Sequence, residues 1–167
     1  MLEGIKIKPL TRRFDERGSF TEIIRKDWKD ILEEDEFTQA NLSLAYTGII
    51  RAWHRHLKGQ IDYFVCLKGS IKICAYDDET KELNEIISAG DDLKTVRVPG
   101  HYWHGFKVVG DEPAWLLYFV NRLYDYANPD EERKPWNDQT IIPFMINGKK
   151  DDPRVGKPWD WLALPYK

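Results

Sequence analysis

The sequence predicts a single all-β domain closed into a jelly roll, and three observations lead there. Short runs of β-branched and aromatic residues recur, turn-forming residues separate them at close intervals, and the apolar pattern within a run alternates with period two. The runs are "FTEII" at 20–24, "IDYFVCL" at 61–67, "SIKICAY" at 70–76, "LNEIIS" at 83–88, "KTVRV" at 94–98 and "AWLLYFV" at 114–120. Between them fall "KG" at 68–69, "DDETK" at 77–81, "AGDD" at 89–92, "PGH" at 99–101 and "GDEP" at 110–113. Strand, turn, strand at this spacing means antiparallel pairing. About eight such strands in one small domain fit a jelly roll, whose two sheets leave a mouth where side chains converge.

Taken in order, "KDWKDILEEDEF" at 26–37 is the one helix candidate, with Trp28, Ile31 and Leu32 on one face among charges. In "SIKICAY" the residues Ile71, Ile73 and Ala75 alternate with Lys72, Cys74 and Tyr76, predicting a strand with one face inward. Trp115, Leu117 and Phe119 share an alternation opposite to that of Tyr118. From about 125 to 167 periodicity fades and most of the prolines appear. The tryptophans retained there predict an ordered extension packed on the barrel, since a disordered tail seldom carries large aromatics. The charge runs "DEERK" at 130–134 and "KKDD" at 149–152 read as solvated loops. The whole chain, 1–167, is expected to be one domain.

The net charge of −3 argues against a nucleic-acid surface built on excess basic residues. No apolar run reaches the ~18 residues of a membrane span, and "MLEGIKIKPL" lacks a secretory apolar segment, so the expected compartment is the cytoplasm. Cys66 and Cys74 lie in alternating apolar segments without metal spacing and are expected to be small buried core residues.

All four histidines fall in two places: His54 and His56 in "RAWHRH", and His101 and His104 in "PGHYWHGF". As metal chemistry, Gly48, His54, His56, an oxygen at Gln60 or Asp62, Pro99 and His104 approximate the two-part motif of cupins, with imidazoles and a carboxylate suited to Fe, Mn, Ni or Zn. Here glutamine stands where glutamate is usual, and His101 where glycine is.

The same segments resemble another branch of that superfold. The dTDP-4-dehydrorhamnose 3,5-epimerase family carries "DERG.F.E", "Q.N.S", "RG.H", "P.G.AHGF", "LY" and "W.D" in that order. This chain reads "DERGSFTE" at 15–22, "QANLS" at 39–43, "RAWH" at 51–54, "PGHYWHGF" at 99–106, "LLY" at 116–118 and "WND" at 136–138.

That resemblance implies a cupin-like, double-stranded β-helix jelly roll acting as a homodimer. It implies a nucleotide-diphosphate sugar, a dTDP-4-keto-6-deoxyhexose, as partner, and epimerisation beside the ketone without a metal or other cofactor. By motif position His54 matches the base, Tyr118 the acid that returns a proton from the opposite face, and Asp151, with Asp152 as near-equal candidate, the carboxylate that orients the base. Arg17, Glu22, Gln39, Asn41, Arg51 and His104 match ligand-contacting positions; Phe20 and Tyr124 match aromatic positions near sugar or base, and Glu131 a further contact.

Three departures bear on the chemistry. Asp62 stands where the family's lysine holds the enolate oxygen, Trp53 sits beside the base, and His56 replaces a glutamine-containing pattern. A carboxylate opposes developing negative charge, so either His104, Arg51 or Lys72 takes over the lysine's task or the reaction differs. Two further functions stay open on these residues: a metal-dependent cupin isomerase or dioxygenase using His54, His56 and His104, and a non-catalytic sugar-nucleotide-binding relative.

Overall fold

The computed structural model describes residues 1–165. Thirteen strands and one short helix follow in chain order: β1 Lys6–Pro9, β2 Arg13–Asp15, β3 Gly18–Phe20, α1 Lys29–Leu32, β4 Gln39–Ala45, β5 Ile50–Arg55 and β6 Ile61–Lys68. Then come β7 Ser70–Tyr76, β8 Glu82–Ala89, β9 Lys94–Pro99, β10 Trp103–Val109, β11 Ala114–Val120, β12 Glu132–Arg133 and β13 Met145–Ile146. They form a five-stranded sheet, β1-β9-β6-β11-β4, a six-stranded sheet, β12-β5-β10-β7-β8-β13, and the separate hairpin β2-β3. The long strands pair antiparallel; only β13 joins β8 in parallel.

Period-two alternation explains how the sheets meet. Ile71, Ile73 and Ala75 of β7 enter a core shared with Phe64, Val96, Val98 and Leu116 of the facing sheet. The turn between β6 and β7 is the single residue Gly69, at φ +70, where a Cβ would stand 2.6 Å from the Pro113 carbonyl oxygen. Glycine alone meets both the positive φ and that close approach.

Three sequence expectations need correction. The one-face-inward reading of β7 fails because its other face is also covered: Cys74 and Tyr76 are buried with Trp53, Trp103, Trp159 and Trp161 under the C-terminal segment. The extension thus makes a second core on the back of the six-stranded sheet, as its aromatic content foretold. The helix spans four residues instead of 26–37, because only Ile31 and Leu32 find burial, against Tyr63 on the outside of the five-stranded sheet. Such a short helix is held by packing, not propensity. Of the strand expected at 20–24 only Phe20 is in a strand, as the last residue of β3. Cys66 and Cys74 are free and buried, and burial pushes the Cys66 thiol up to about 11.

Candidate active site

The mouth between the sheets is lined by two cross-strand rows and a histidine pair. Val120 of β11 lies between Asp62 of β6 and Gln39 of β4, and Tyr118 lies between Phe64 and Asn41. Side chains in register on antiparallel strands share a face, so these six residues look the same way. On the opposite sheet His54 of β5 is in register with His104 of β10 and, on its other side, with Arg133 of β12. The imidazoles of His54 and His104 lie 4.2 Å apart between centroids. Gly105 lets β10 approach β5 this closely: a Cβ there would stand 2.4 Å from Ala52 Cβ and 2.5 Å from the Arg51 carbonyl.

Backbone carbonyls set the imidazole tautomers. His56 donates Nδ1–H to the Asp130 carbonyl at 2.5 Å, leaving Nε2 to accept from the Gln60 amide at 3.1 Å. His104 donates Nδ1–H to the Tyr102 carbonyl at 2.8 Å, while its Nε2 faces Asp62 Oδ2 at 3.0 Å. Two bare acceptors would repel there, so the Asp62–His104 contact holds one shared proton. Burial, followed by the neighbouring His104, His56 and Arg133, drives the His54 pKa well below the ordinary imidazole value and keeps the ring neutral. Burial, aided by Asp62, raises the Tyr118 phenol above its usual value and keeps it protonated.

Two adjoining cavities open here. The first, about 360 Å³, is lined by His54, Tyr118, Gln39, Asn41, Asp62, Tyr124 and Glu131 among others. The second, about 550 Å³, shares His54 and Tyr118 and adds Arg51. His104 lies fully buried beneath, reaching the mouth through Asp62.

Other sequence-derived positions lie elsewhere. Arg17 pairs with Asp15 on the exposed hairpin, Phe20 is 65% exposed there, and Glu22 pairs with Arg25; none of the three lines either cavity. Asp151 is exposed and follows β13, the edge opposite β5. Four strand spacings of ~4.8 Å separate β13 from β5, so Asp151 is no partner for His54. Asp152 is buried but engages Arg154, which also bonds Glu85 of β8. The carboxylate that meets an imidazole is Asp62. Lys72 points to the back of the sheet, paired with Glu85 and lying over Trp159, so it takes no part at the mouth. Trp53 likewise packs on Trp161. His101 is an exposed residue whose ring lies tilted against Tyr102.

Sequence reasoning missed Phe64, Tyr126 and Arg133, all of which line the first cavity. The run "DEERK" is no free loop: Glu132 and Arg133 pair with β5, and Glu131 and Arg133 bond each other at the mouth at 2.6 Å. The available signal was the alternation of charge beside an aromatic-rich stretch, which a two-residue edge strand carries too briefly to register.

The donor set also fits a divalent cation. His54, His56, Asp62 and His104 each offer one ligand atom, all within 4.8 Å of one another. Carbonyls that fix Nδ1–H on His56 and His104 leave Nε2 inward, the orientation that metal-bound histidines use.

By class this is a cupin-type jelly roll whose mouth presents a neutral imidazole and a phenol to one cavity. The chain belongs to the polysaccharide biosynthesis C-terminal domain family, matching it over residues 13–132. It is 41% identical over 141 residues, 81% of this chain and 89% of the other, to the Haloferax volcanii protein called "Probable low-salt glycan biosynthesis epimerase Agl13". Over 146 residues it is 36% identical to the spore coat polysaccharide biosynthesis protein SpsL of Bacillus subtilis, covering 84% and 94% of the two chains. In fold it matches the Legionella pneumophila dTDP-6-deoxy-D-glucose-3,5-epimerase, solved with dTDP-4-keto-L-rhamnose. That match has a TM-score of 0.73 and 21% identity, covering 89% of this chain and 86% of that one. The chain thus shares its fold with a 3,5-epimerase and its family with a probable glycan biosynthesis epimerase.

Proposed function

We propose that this chain is an isomerase that epimerises a nucleotide-linked 4-keto-6-deoxyhexose in polysaccharide biosynthesis. The observation carrying this reading is that neutral His54 and protonated Tyr118 line the same cavity. Inversion needs a base to remove the proton beside the ketone and an acid to return one to the other face. His54 takes the proton as the C–H electrons pass into the enolate, and Tyr118 supplies the new C–H hydrogen. Asp62, which the resemblance aligns with the family's lysine, is bonded to His104, and to this pair we assign the lysine's task at the enolate oxygen. Arg51 suits the diphosphate, and Gln39 and Asn41 suit the sugar side of it.

A homodimer resident in the cytoplasm belongs to the same reading. Leu42, Leu44 and Tyr46, on or just after the edge strand β4, are 60%, 46% and 69% exposed, an apolar face suited to a second copy. Arg17 and Phe20, on the exposed hairpin and away from their own cavity, are placed in this reading to serve a neighbour's.

Incubation with dTDP-4-keto-6-deoxyglucose in deuterated water tests the reaction. Deuterium is expected beside the ketone; nucleotide binding without exchange, in wild type and His54→Ala alike, would instead identify a non-catalytic sugar-nucleotide binder.

The convergence of four ligand atoms within 4.8 Å supports a second reading, a metal-assisted isomerase. A cation held by His54, His56, Asp62 and His104 would polarise the ketone as a Lewis acid. Stoichiometric Fe, Mn, Ni or Zn in protein purified without chelator supports it. Metal-free protein with full activity removes it.

A further inference from the structure

Gln60 stands beside the four converging ligand atoms, and both N–H bonds of its amide are spent on two of them. One is directed at His56 Nε2, 3.1 Å away, and the other at Asp62 Oδ1, 3.0 Å away. Chemistry fixes which end of the amide faces them. His56 gives its Nδ1–H to the Asp130 carbonyl, so Nε2 carries the lone pair, and Asp62 Oδ1 is an acceptor. An amide oxygen turned toward the same two atoms would meet acceptors alone.

The backbone holds this arrangement from two sides. Gly100 accepts the His56 N–H at 2.7 Å and donates its own N–H to the Gln60 carbonyl at 2.9 Å, so one residue fastens both partners. A Cβ on Gly100 would stand 2.4 Å from the Gln60 carbonyl oxygen and 3.0 Å from His56 Cδ2, an approach that glycine permits and a side chain does not. On the other side the Asp130 carboxylate accepts the Leu57 and Lys58 N–H groups, both at 2.9 Å, next to the carbonyl that holds the ring. A cation on His56 bonds along the Nε2 lone pair at ~2.0–2.1 Å. That lies inside the 3.1 Å between Nε2 and the amide nitrogen, so cation and amide exclude each other.

We propose that Gln60 is the residue that decides between proton and cation at this centre: its amide caps the lone pairs of His56 and Asp62 and so commits the site to proton transfer by denying it a divalent metal. Four residues could supply a cation with ligands, and the amide engages two of them. Gln60 adds no charge of its own, which leaves Asp62 as the one carboxylate among those four to balance a doubly charged ion. Gln60 acts through its neighbours and is a positioning residue. The proposal concerns the centre alone and holds whichever sugar is turned over.

Calorimetric titration with Zn²⁺ and Co²⁺, the latter also followed by its visible absorption, tests this on metal-free wild type, Gln60→Ala and Gln60→Glu. Gln60→Ala removes the cap without adding a ligand and is expected to bind both ions roughly tenfold or more tightly than wild type, with Gln60→Glu tighter still. Adding His54→Ala to Gln60→Ala should weaken binding again and change the Co²⁺ spectrum, which places the ion at this centre. Matching thermal unfolding curves without metal establish that each variant is folded, and Gln60→Glu, which keeps the shape of the side chain, carries the test if Gln60→Ala is not. Wild type with the affinity of the Gln60 variants, tight or weak, overturns the proposal, as does a Co²⁺ spectrum that survives His54→Ala. Deuterium exchange beside the ketone is scored separately, so failure here leaves the epimerase reading standing.

Discussion

Asp62 and His104 meet inside the barrel with Oδ2 3.0 Å from Nε2, and the same imidazole is tied through Nδ1 to the Tyr102 carbonyl. Gln60 donates to Asp62 Oδ1 at 3.0 Å, so the carboxylate is bonded at both oxygens. Asp62→Ala strands a fully buried imidazole and is expected to cost about 1–3 kcal/mol in thermal or urea unfolding. Asp62→Asn keeps the shape but cannot share the proton in the same way; kcat should fall about 100-fold with KM little changed. An Asn variant with wild-type kcat would show that the pair only supports the fold.

His54→Ala should lower kcat by about 1,000-fold and abolish solvent deuterium exchange while nucleotide affinity changes little, since no phosphate-binding role falls to this ring. Steady-state kinetics and mass spectrometry of the recovered sugar nucleotide read both effects.

Tyr118→Phe separates the two half-reactions. The ring still fills its place beside Phe64, at 5.9 Å between centroids, but the acid is gone. Exchange beside the ketone should persist through His54, while formation of the inverted product drops about 100-fold. Equal loss of exchange and inversion would give Tyr118 a role in the first step.

Gly105→Ala should be damaging although it adds a single methyl group. Its Cβ would meet Ala52 Cβ and the Arg51 carbonyl at 2.4 and 2.5 Å, forcing β10 from β5 and parting His104 from His54. Overpacking against backbone costs on the order of 1–3 kcal/mol or more. Lower solubility or melting temperature should accompany lost activity.

The back of the sheet predicts acid sensitivity. The side-chain bond from Arg154 holds the buried Asp152 carboxyl below its ordinary value, and Arg154 in turn reaches Glu85 at 3.0 Å. A depressed carboxylate stabilises the fold above its unfolded pKa, near ~4, and that stabilisation is lost as pH falls through the folded value. Stability measured by urea unfolding should therefore decline below about pH 4 less steeply in Asp152→Asn, which should already be weaker at pH 7.

Much of this was legible because strands announce themselves locally. Ile71, Ile73 and Ala75 report an inward face by alternation alone, and His54 and His104 lie in motifs whose order survives divergence. What escaped were features set by distant partners. Glu131 and Arg133 looked solvated because nothing local says that two residues will add an edge strand to β5. Asp151 looked functional because its neighbourhood resembled a motif, yet β13 joins the far edge of the sheet. The helix shrank to four residues because burial, not the charge pattern around it, decides how much of 26–37 winds.

Residues 131–161 supply both a wall of the cavity and the cover over Trp53 and Trp103. During synthesis the histidine-bearing strands leave the ribosome well before that cover, so the nascent barrel displays an indole-rich face with nothing yet to shield it. That interval is when chaperone engagement matters most to this chain and when aggregation competes hardest with folding.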